Sequence, residues 1–205
     1  GAWPVHAPTG PAGNVYSNVV IDQEYVYAAT RNEGIARWDG NQWFIWPAAP
    51  CGPGCASTFQ FPTEVFAMTV SRTGHKWVAC WGVSVDRFDD RVDPDQFAHY
   101  WTAQSDDFRH TLAFGAAADD TGGVWFGMDT NNTEEVTPLG LEHYNASGVH
   151  VGTWGPGSPP TSLVRSGKIR AVSVDKANRV WIGYAGAANS GVDAVGLRRK
   201  PSRSS

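Results

Sequence analysis

The 205-residue sequence predicts an all-β fold, a β-propeller of four-stranded antiparallel blades in four repeats, and three observations carry that expectation. A strand-turn-strand unit recurs four times along the chain. The second strand of each unit is centred on an aromatic residue, Tyr27, Trp77, Trp125 and Trp181, at intervals of 50, 48 and 56 residues. The composition, with 23 glycines, 13 prolines, 12% aromatic and only 18% charged residues, suits short strands and tight turns and favours helix nowhere. A fixed period of this length marks a repeat architecture, in which each unit hides its apolar faces against its neighbours.

Each unit opens with an apolar strand, a polar turn and the aromatic-centred strand. Val174-Asp175-Lys176-Ala177-Asn178-Arg179-Val180-Trp181-Ile182-Gly183 is the clearest copy, and Asp120-Thr121-Gly122-Gly123-Val124-Trp125-Phe126-Gly127 is close to it. A third strand follows, beginning at glycine and ending in an aromatic-Asp/Asn pair. It reads Gly34-Ile35-Ala36-Arg37-Trp38-Asp39 in the first unit, runs from Gly82-Val83 to Phe88-Asp89 in the second, and reads Gly140-Leu141-Glu142-His143-Tyr144-Asn145 in the third. A fourth, aromatic strand comes next in Trp43-Phe44-Ile45-Trp46, in Phe97-Ala98-His99-Tyr100-Trp101 and around Val151-Gly152-Thr153-Trp154. The blades are therefore expected over residues 14–46, 62–102, 112–154 and 168–195, followed by a disordered basic tail at 198–205. Recurrence at a fixed place assigns the four aromatic anchors to packing between blades.

The fourth unit offers a third strand at Gly191-Val192-Asp193-Ala194-Val195 and no fourth. Residues 2–6 have the right aromatic character to supply it, which would close a small four-bladed ring. Alternatively the four repeats are a segment of a larger propeller of six to eight blades. Such a segment exposes two apolar blade faces, so a homo-oligomer is then expected.

The repeated pattern, apolar-x-x-apolar-x-x-Asp-x-x-Gly/Asn-x-Val-Trp-Ile/Phe-Gly followed by Gly-Ile/Leu-x-x-aromatic-Asp/Asn, resembles the two-component regulator propeller repeat from about Val19 to Val195. The resemblance implies a propeller that serves as the extracytoplasmic sensor region of hybrid histidine kinases, binding glycans or relaying a signal from a glycan-handling partner. It implies a periplasmic or extracellular location. Similar propellers occur in secreted lyases such as the streptogramin lyase. Fold is implied more firmly than activity. The sequence departs from the sensor kinases in its four repeats and in showing neither a kinase domain nor a membrane-spanning run.

A net charge of -4 and a pI near 5.8 argue against nucleic acid or anionic lipid as partner. No stretch approaches the roughly 18 consecutive apolar residues of a membrane helix, so no membrane insertion is expected. Cys51 and Cys55, in a C-x3-C loop, form a small disulfide in an oxidising compartment or stand as free thiols or metal thiolates in a reducing one. No second Cys/His pair with zinc spacing lies near, and Cys80 reads as a small buried apolar residue. The acidic run Asp86, Asp89, Asp90, Asp93 and Asp95 lacks the glycine and closing glutamate of an EF-hand and reads as a solvated turn. Six histidines form no metalloprotease or nucleophile motif, so no catalytic residue, cofactor or metal is expected.

Ligands of propellers bind on the face that carries the loops joining strand two to strand three and strand four to the next blade. Those loops hold Arg31, Phe59, Trp81, His110, Asp129, Asn131 and Tyr184, and Phe66 and Arg170 near the starts of inner strands are expected to point to the axis. Phe59, Trp81 and Tyr184 are expected to stack on sugar rings, with Arg31, Asp129, Asn131 and Arg170 bonding hydroxyls. The expected function is a non-catalytic ligand-binding or sensor propeller for a carbohydrate or protein. The alternatives are a lyase or hydrolase working through His110 and Asp129 with a divalent ion, and a purely structural protein-interaction module.

Overall fold

Strand follows strand through the computed structural model, which describes residues 15–30, 34–46, 65–80, 84–91, 96–101, 113–129, 140–156, 164–186 and 191–196. The first blade is β1 (Tyr16–Ile21), β2 (Val26–Thr30), β3 (Ile35–Trp38) and β4 (Trp43–Trp46), paired in that order. The second is β5 (Val65–Val70), β6 (Lys76–Cys80), β7 (Ser84–Asp89) and β8 (Gln96–Trp101). The third is β9 (Ala113–Ala118), β10 (Val124–Met128), β11 (Leu141–Tyr144) and β12 (His150–Trp154), and the fourth holds β13 (Ile169–Val174), β14 (Arg179–Tyr184) and β15 (Gly191–Gly196). All pairings are antiparallel neighbours in sequence, so the four sheets form without a crossover. The first strands of adjacent blades, β1 with β5, β5 with β9 and β9 with β13, pack side by side and line the axis.

Short-range chemistry sets the turns between first and second strands. Asp119 Oδ1 accepts hydrogen bonds from the backbone N–H groups of Thr121 and Gly123, and Asp175 Oδ1 does the same for Ala177 and Arg179. The chain then needs one residue in the left-handed region, which Gly74 (φ 83), Gly122 (φ 88) and Asn178 (φ 57) supply. Asn178 is a tertiary contact as well, since its Oδ1 accepts the Asp120 N–H of the preceding blade at 3.0 Å.

Three apolar seams hold the blades together, each presenting the aromatic anchor of one blade to the next. Tyr27, Ala29, Ile35 and Trp46 meet Val65, Met68, Val78 and Phe88, with the Trp46 and Phe88 rings 5.4 Å apart. Trp77 packs on Phe126 and Tyr144 at 6.0 and 5.8 Å, and Trp125 joins Leu141, Ile169, Val180 and Ile182. Tyr27, Trp77 and Trp125 are all but fully buried, as inter-blade packing requires. Trp181 differs: it is 38% exposed, and among the described residues no other blade packs against the face it occupies. The burial of β10 on both faces, against the buried-exposed alternation along β14, expresses the same fact. The fourth blade does not pack on the first among the described residues. Residues 2–6 and 198–205 lie outside them.

The part of the acidic run that is described, Asp86, Asp89 and Asp90, is not a solvated turn, and Asp93 and Asp95 lie outside the described residues. The Asp86 and Asp90 side chains are buried, and Asp90 accepts hydrogen bonds from Lys76 Nζ at 2.6 Å, Arg37 Nη1 at 2.7 Å and the Tyr27 hydroxyl at 2.8 Å. Lys76, itself 1% exposed, also pairs with Asp22 at 3.1 Å. Two acids and two bases thus bridge the first two blades beneath their apolar seam, a grouping that local sequence spacing does not reveal. In the third blade the turn residue Asp119 has a further role, holding His143 Nε2 at 2.8 Å while that ring stacks on Trp125 at 4.1 Å. Burial pushes the His143 imidazole below its ordinary value and outweighs the pull of Asp119, so the ring is neutral at pH 7.

Close approach of the inner strands leaves no room for a side chain at Gly115, where an added Cβ would lie 2.7 Å from the Val172 backbone nitrogen. Backbone on both sides cannot yield as a flexible side chain could. Gly115→Ala is expected to destabilise the protein by about 1–3 kcal/mol, measured as a lower midpoint in urea unfolding. An unchanged midpoint would show that the third and fourth blades separate freely.

Candidate functional site at the axis mouth

Every blade carries an irregularity at the same place, the second residue of its axial strand. The register skips between Tyr16 and Asn18 in β1, between Val65 and Ala67 in β5, between Ala113 and Gly115 in β9, and between Ile169 and Ala171 in β13. The unpaired residues are Ser17, Phe66, Phe114 and Arg170. A bulge leaves one residue out of the ladder and re-aims its side chain, and here its recurrence gives one redirected side chain per blade at one end of the axis.

Three of the four touch in sequence around the axis. The Phe66 and Phe114 rings lie 4.6 Å apart and tilted by 47°. The Arg170 guanidinium carbon sits 3.7 Å above the Phe114 ring centre, a cation–π contact. Arg170 Nε also pairs with the carboxylate of Asp129, which follows β10 and is 1% exposed. Neither Asp129 oxygen has a well-formed hydrogen bond among the described residues, so the pair is held by charge and proximity. The Arg170 side chain stays 43% exposed, so part of it remains open to solvent. Ser17 turns inward instead, donating from its hydroxyl to the Ala29 carbonyl at 3.3 Å.

Of the residues singled out in the sequence, the structure brings Phe66, Arg170 and Asp129 into this one cluster. Tyr184 is elsewhere. Its ring is packed in the seam between the third and fourth blades at 8% exposure, and its hydroxyl accepts the Arg165 N–H at 3.2 Å. Arg165 crosses the same ring at 5.5 Å and pairs with Asp193 at 2.6 Å, so Tyr184 offers no open stacking face. Arg31, Phe59, Trp81, His110 and Asn131 lie outside the described residues, as do Cys51 and Cys55, and of the Cys80 side chain nothing is described. Sequence reasoning missed Phe114. The signal was present, because Phe66, Phe114 and Arg170 hold the same place in the aligned repeats.

The cluster can present hydrogen-bond donors to a ligand. A guanidinium pinned between an aromatic face and a buried carboxylate is preorganised to present donors, which lowers the ordering cost of holding a ligand oxygen. Among the described residues no group of three or more His, Cys, Asp or Glu could hold a metal ion. No described helix is long and apolar enough to cross a membrane.

Comparison with solved structures gives propellers. Crystal structures of the extracellular domain of BT4673 of B. thetaiotaomicron, a protein described as a one-component and as a hybrid two-component system, match with TM-scores of 0.58 and 0.55 at 15% and 16% identity. Both cover 95% of this chain and 23% of that domain. A glucose dehydrogenase matches with a TM-score of 0.52 at 11% identity over 85% of this chain and 58% of its own. The Dos1 propeller matches with a TM-score of 0.50 at 11% identity over 82% and 53%. These likenesses show the fold, and the chain spans about a quarter of the sensor domain it matches. No family model matches the sequence, and no curated protein matches it.

Proposed function

We propose that the chain is a non-catalytic ligand-binding propeller of the sensor type, taking a carbohydrate at the axis mouth. The row Phe66–Phe114–Arg170 with Asp129 behind it is the observation that carries this reading. The half-exposed Arg170 guanidinium, held on the Phe114 ring with the buried Phe66 behind it, suits a ligand that offers hydroxyl oxygens. The resemblance of the repeat to sensor propellers, and the propeller likeness to an extracellular sensor domain, support an extracellular or periplasmic place for it. A protein segment that offers such oxygens is the other ligand the site could hold.

The test is a glycan array followed by titration calorimetry on the strongest hit. Arg170→Ala is expected to weaken that hit at least tenfold, roughly the 1.5–3 kcal/mol typical of a hydrogen bond to a charged group, with the far-UV spectrum unchanged. An array and a calorimetric screen without any binding at millimolar sugar would overturn the carbohydrate reading. A protein ligand would then appear as a captured partner lost on the same substitution.

A further inference from the structure

We infer that the cleft between the turns of the first two blades binds a small zwitterion, a free α-amino acid with an apolar side chain, its carboxylate on Arg91 and its ammonium towards Glu24. The cleft follows from the length of one turn. In the second, third and fourth blades the hydrogen bond that closes the turn between the first two strands runs from the Ser71 N–H to the His75 carbonyl, from Asp119 to Gly123 and from Asp175 to Arg179. In the first blade it runs only from Asp22 to Tyr25, so that turn is one residue shorter. The longer turns reach one another: Arg72 Nη1 donates to the Asp120 carbonyl at 2.9 Å, and the Asp120 N–H donates to Asn178 Oδ1 at 3.0 Å. Beside the shorter turn a cleft of about 580 Å³ opens instead, within the roughly 300–1,000 Å³ of small-molecule sites. It lies at the opposite end of β1 and β5 from their bulges, so nothing in this inference depends on the axis-mouth ligand.

The two walls of the cleft come from different blades and carry opposite charge. The second blade supplies Arg72 and Arg91, the first supplies Asp22 and Glu24, and Lys76 closes the floor. Some of these charges are already spent. Asp22 accepts from the N–H groups of Glu24 and Tyr25, from the Tyr27 hydroxyl and from Lys76 Nζ. Lys76 is 1% exposed and divided between Asp22 and Asp90. Arg91 and Glu24 are the charges left to a ligand.

Asp89 holds the Arg91 guanidinium by one edge, with Nε at 2.7 Å and Nη2 at 2.6 Å from its two oxygens. Nη1, away from that edge, lies where a side chain on Gly74 would stand, and the glycine gives it room. A guanidinium fixed along one edge presents the other in a set direction, and that planar fork matches a carboxylate. The Arg91 side chain is 48% exposed, so the fork is open to solvent. Across the cleft Glu24 is exposed and stands in no ion pair among the described residues. A simple anion on Arg91 would have the carboxylates of Asp89 and Glu24 for company, whereas a zwitterion answers both signs. Tyr25 and Val70 line the same cleft and offer apolar surface to a side chain.

Titration calorimetry of the chain with free leucine tests it, alongside leucinamide, N-acetylleucine and the hydroxy acid of the same carbon skeleton. Leucinamide lacks the carboxylate, and the other two lack the ammonium. Each is expected to bind about tenfold more weakly than leucine, the loss of one hydrogen-bonded charge. Arg91→Gln is expected to weaken leucine binding by a similar factor and Glu24→Gln by a smaller one, both with an unchanged far-UV spectrum because both side chains reach solvent. No binding of leucine at millimolar concentration, binding that survives Arg91→Gln, or a hydroxy acid held as tightly as leucine would each overturn the inference.

Discussion

Replacing Trp125 by alanine will lower the unfolding free energy by about 3–5 kcal/mol, the range for truncating a buried large aromatic. The indole is 1% exposed and stacks on His143 at 4.1 Å. It also packs on Trp154 at 5.1 Å and on the apolar side chains of the fourth blade. The blade-to-blade seam cannot collapse around the lost volume, because Gly115 and Gly127 already hold the inner strands at contact distance. Trp181→Ala, at the equivalent position of the last blade, will cost less than about 1.5 kcal/mol, since it removes a partly exposed ring and one hydrogen bond from Nε1 to Asp175 at 2.9 Å. Urea unfolding of the two variants, at concentrations where the protein is monomeric, measures the difference. Equal losses would mean that packing between blades does not set the stability of the repeat.

Asp90→Ala will cost about 3–5 kcal/mol, because it leaves Lys76 and Arg37 without the carboxylate both bind. Lys76 is 1% exposed and cannot recover its hydration while the seam stays intact. Double replacement of Lys76 by methionine and Asp90 by asparagine will recover part of that loss, since the most deeply buried cation is removed with the carboxylate it binds, while Arg37 and Asp22, at 15% and 17% exposure, keep access to water. Burial raises the Asp90 carboxyl, but the hydrogen bonds from Lys76, Arg37 and Tyr27 outweigh it and hold it below the usual carboxylate range. A carboxyl with a depressed folded-state value binds fewer protons than the unfolded chain, so its contribution is complete above about pH 4 and declines as pH falls below that. Stability will therefore drop on acidification below about pH 4 in the wild type, and the drop will be smaller in the double variant. Parallel acid-denaturation profiles for the two would show instead that Asp90 titrates no differently when folded.

His143 adds a second pH-dependent element with the sign of a buried neutral imidazole. Its folded-state value lies below the unfolded one, so its contribution is present above the unfolded value near 6.5 and declines as pH falls through it. The two elements sit in different seams, Asp90 between the first two blades and His143 beside Trp125 on the face of the third blade that meets the fourth.

The axis-mouth cluster was partly legible before the structure. Phe66 and Arg170 are near the starts of inner strands, which is enough to send them towards the axis, and Asp129 falls directly after β10. Their convergence was not legible, because it depends on a bulge, and a single skipped pairing leaves no mark in a pattern of alternating apolar residues. Tyr184 shows the opposite failure. An aromatic at the end of a second strand is a stacking residue or a core residue according to what the preceding loop places beside it, and here Arg165 and Val164 place it in the core.

By itself the sequence determined the elements that rest on neighbours in the chain. The Asp-led turns, the left-handed position at Gly122 and Asn178, and the strand order within a blade all follow from contacts a few residues apart. Tertiary structure decided the rest. It buried Trp125 but left Trp181 partly in water, gathered Asp22, Tyr27, Arg37, Lys76 and Asp90 into one ionic group, and turned Phe66, Phe114 and Arg170 to a common point. The physical reason is that burial and pairing belong to surfaces that meet: similar repeats read alike along the chain, and only the surface each one packs against makes them differ.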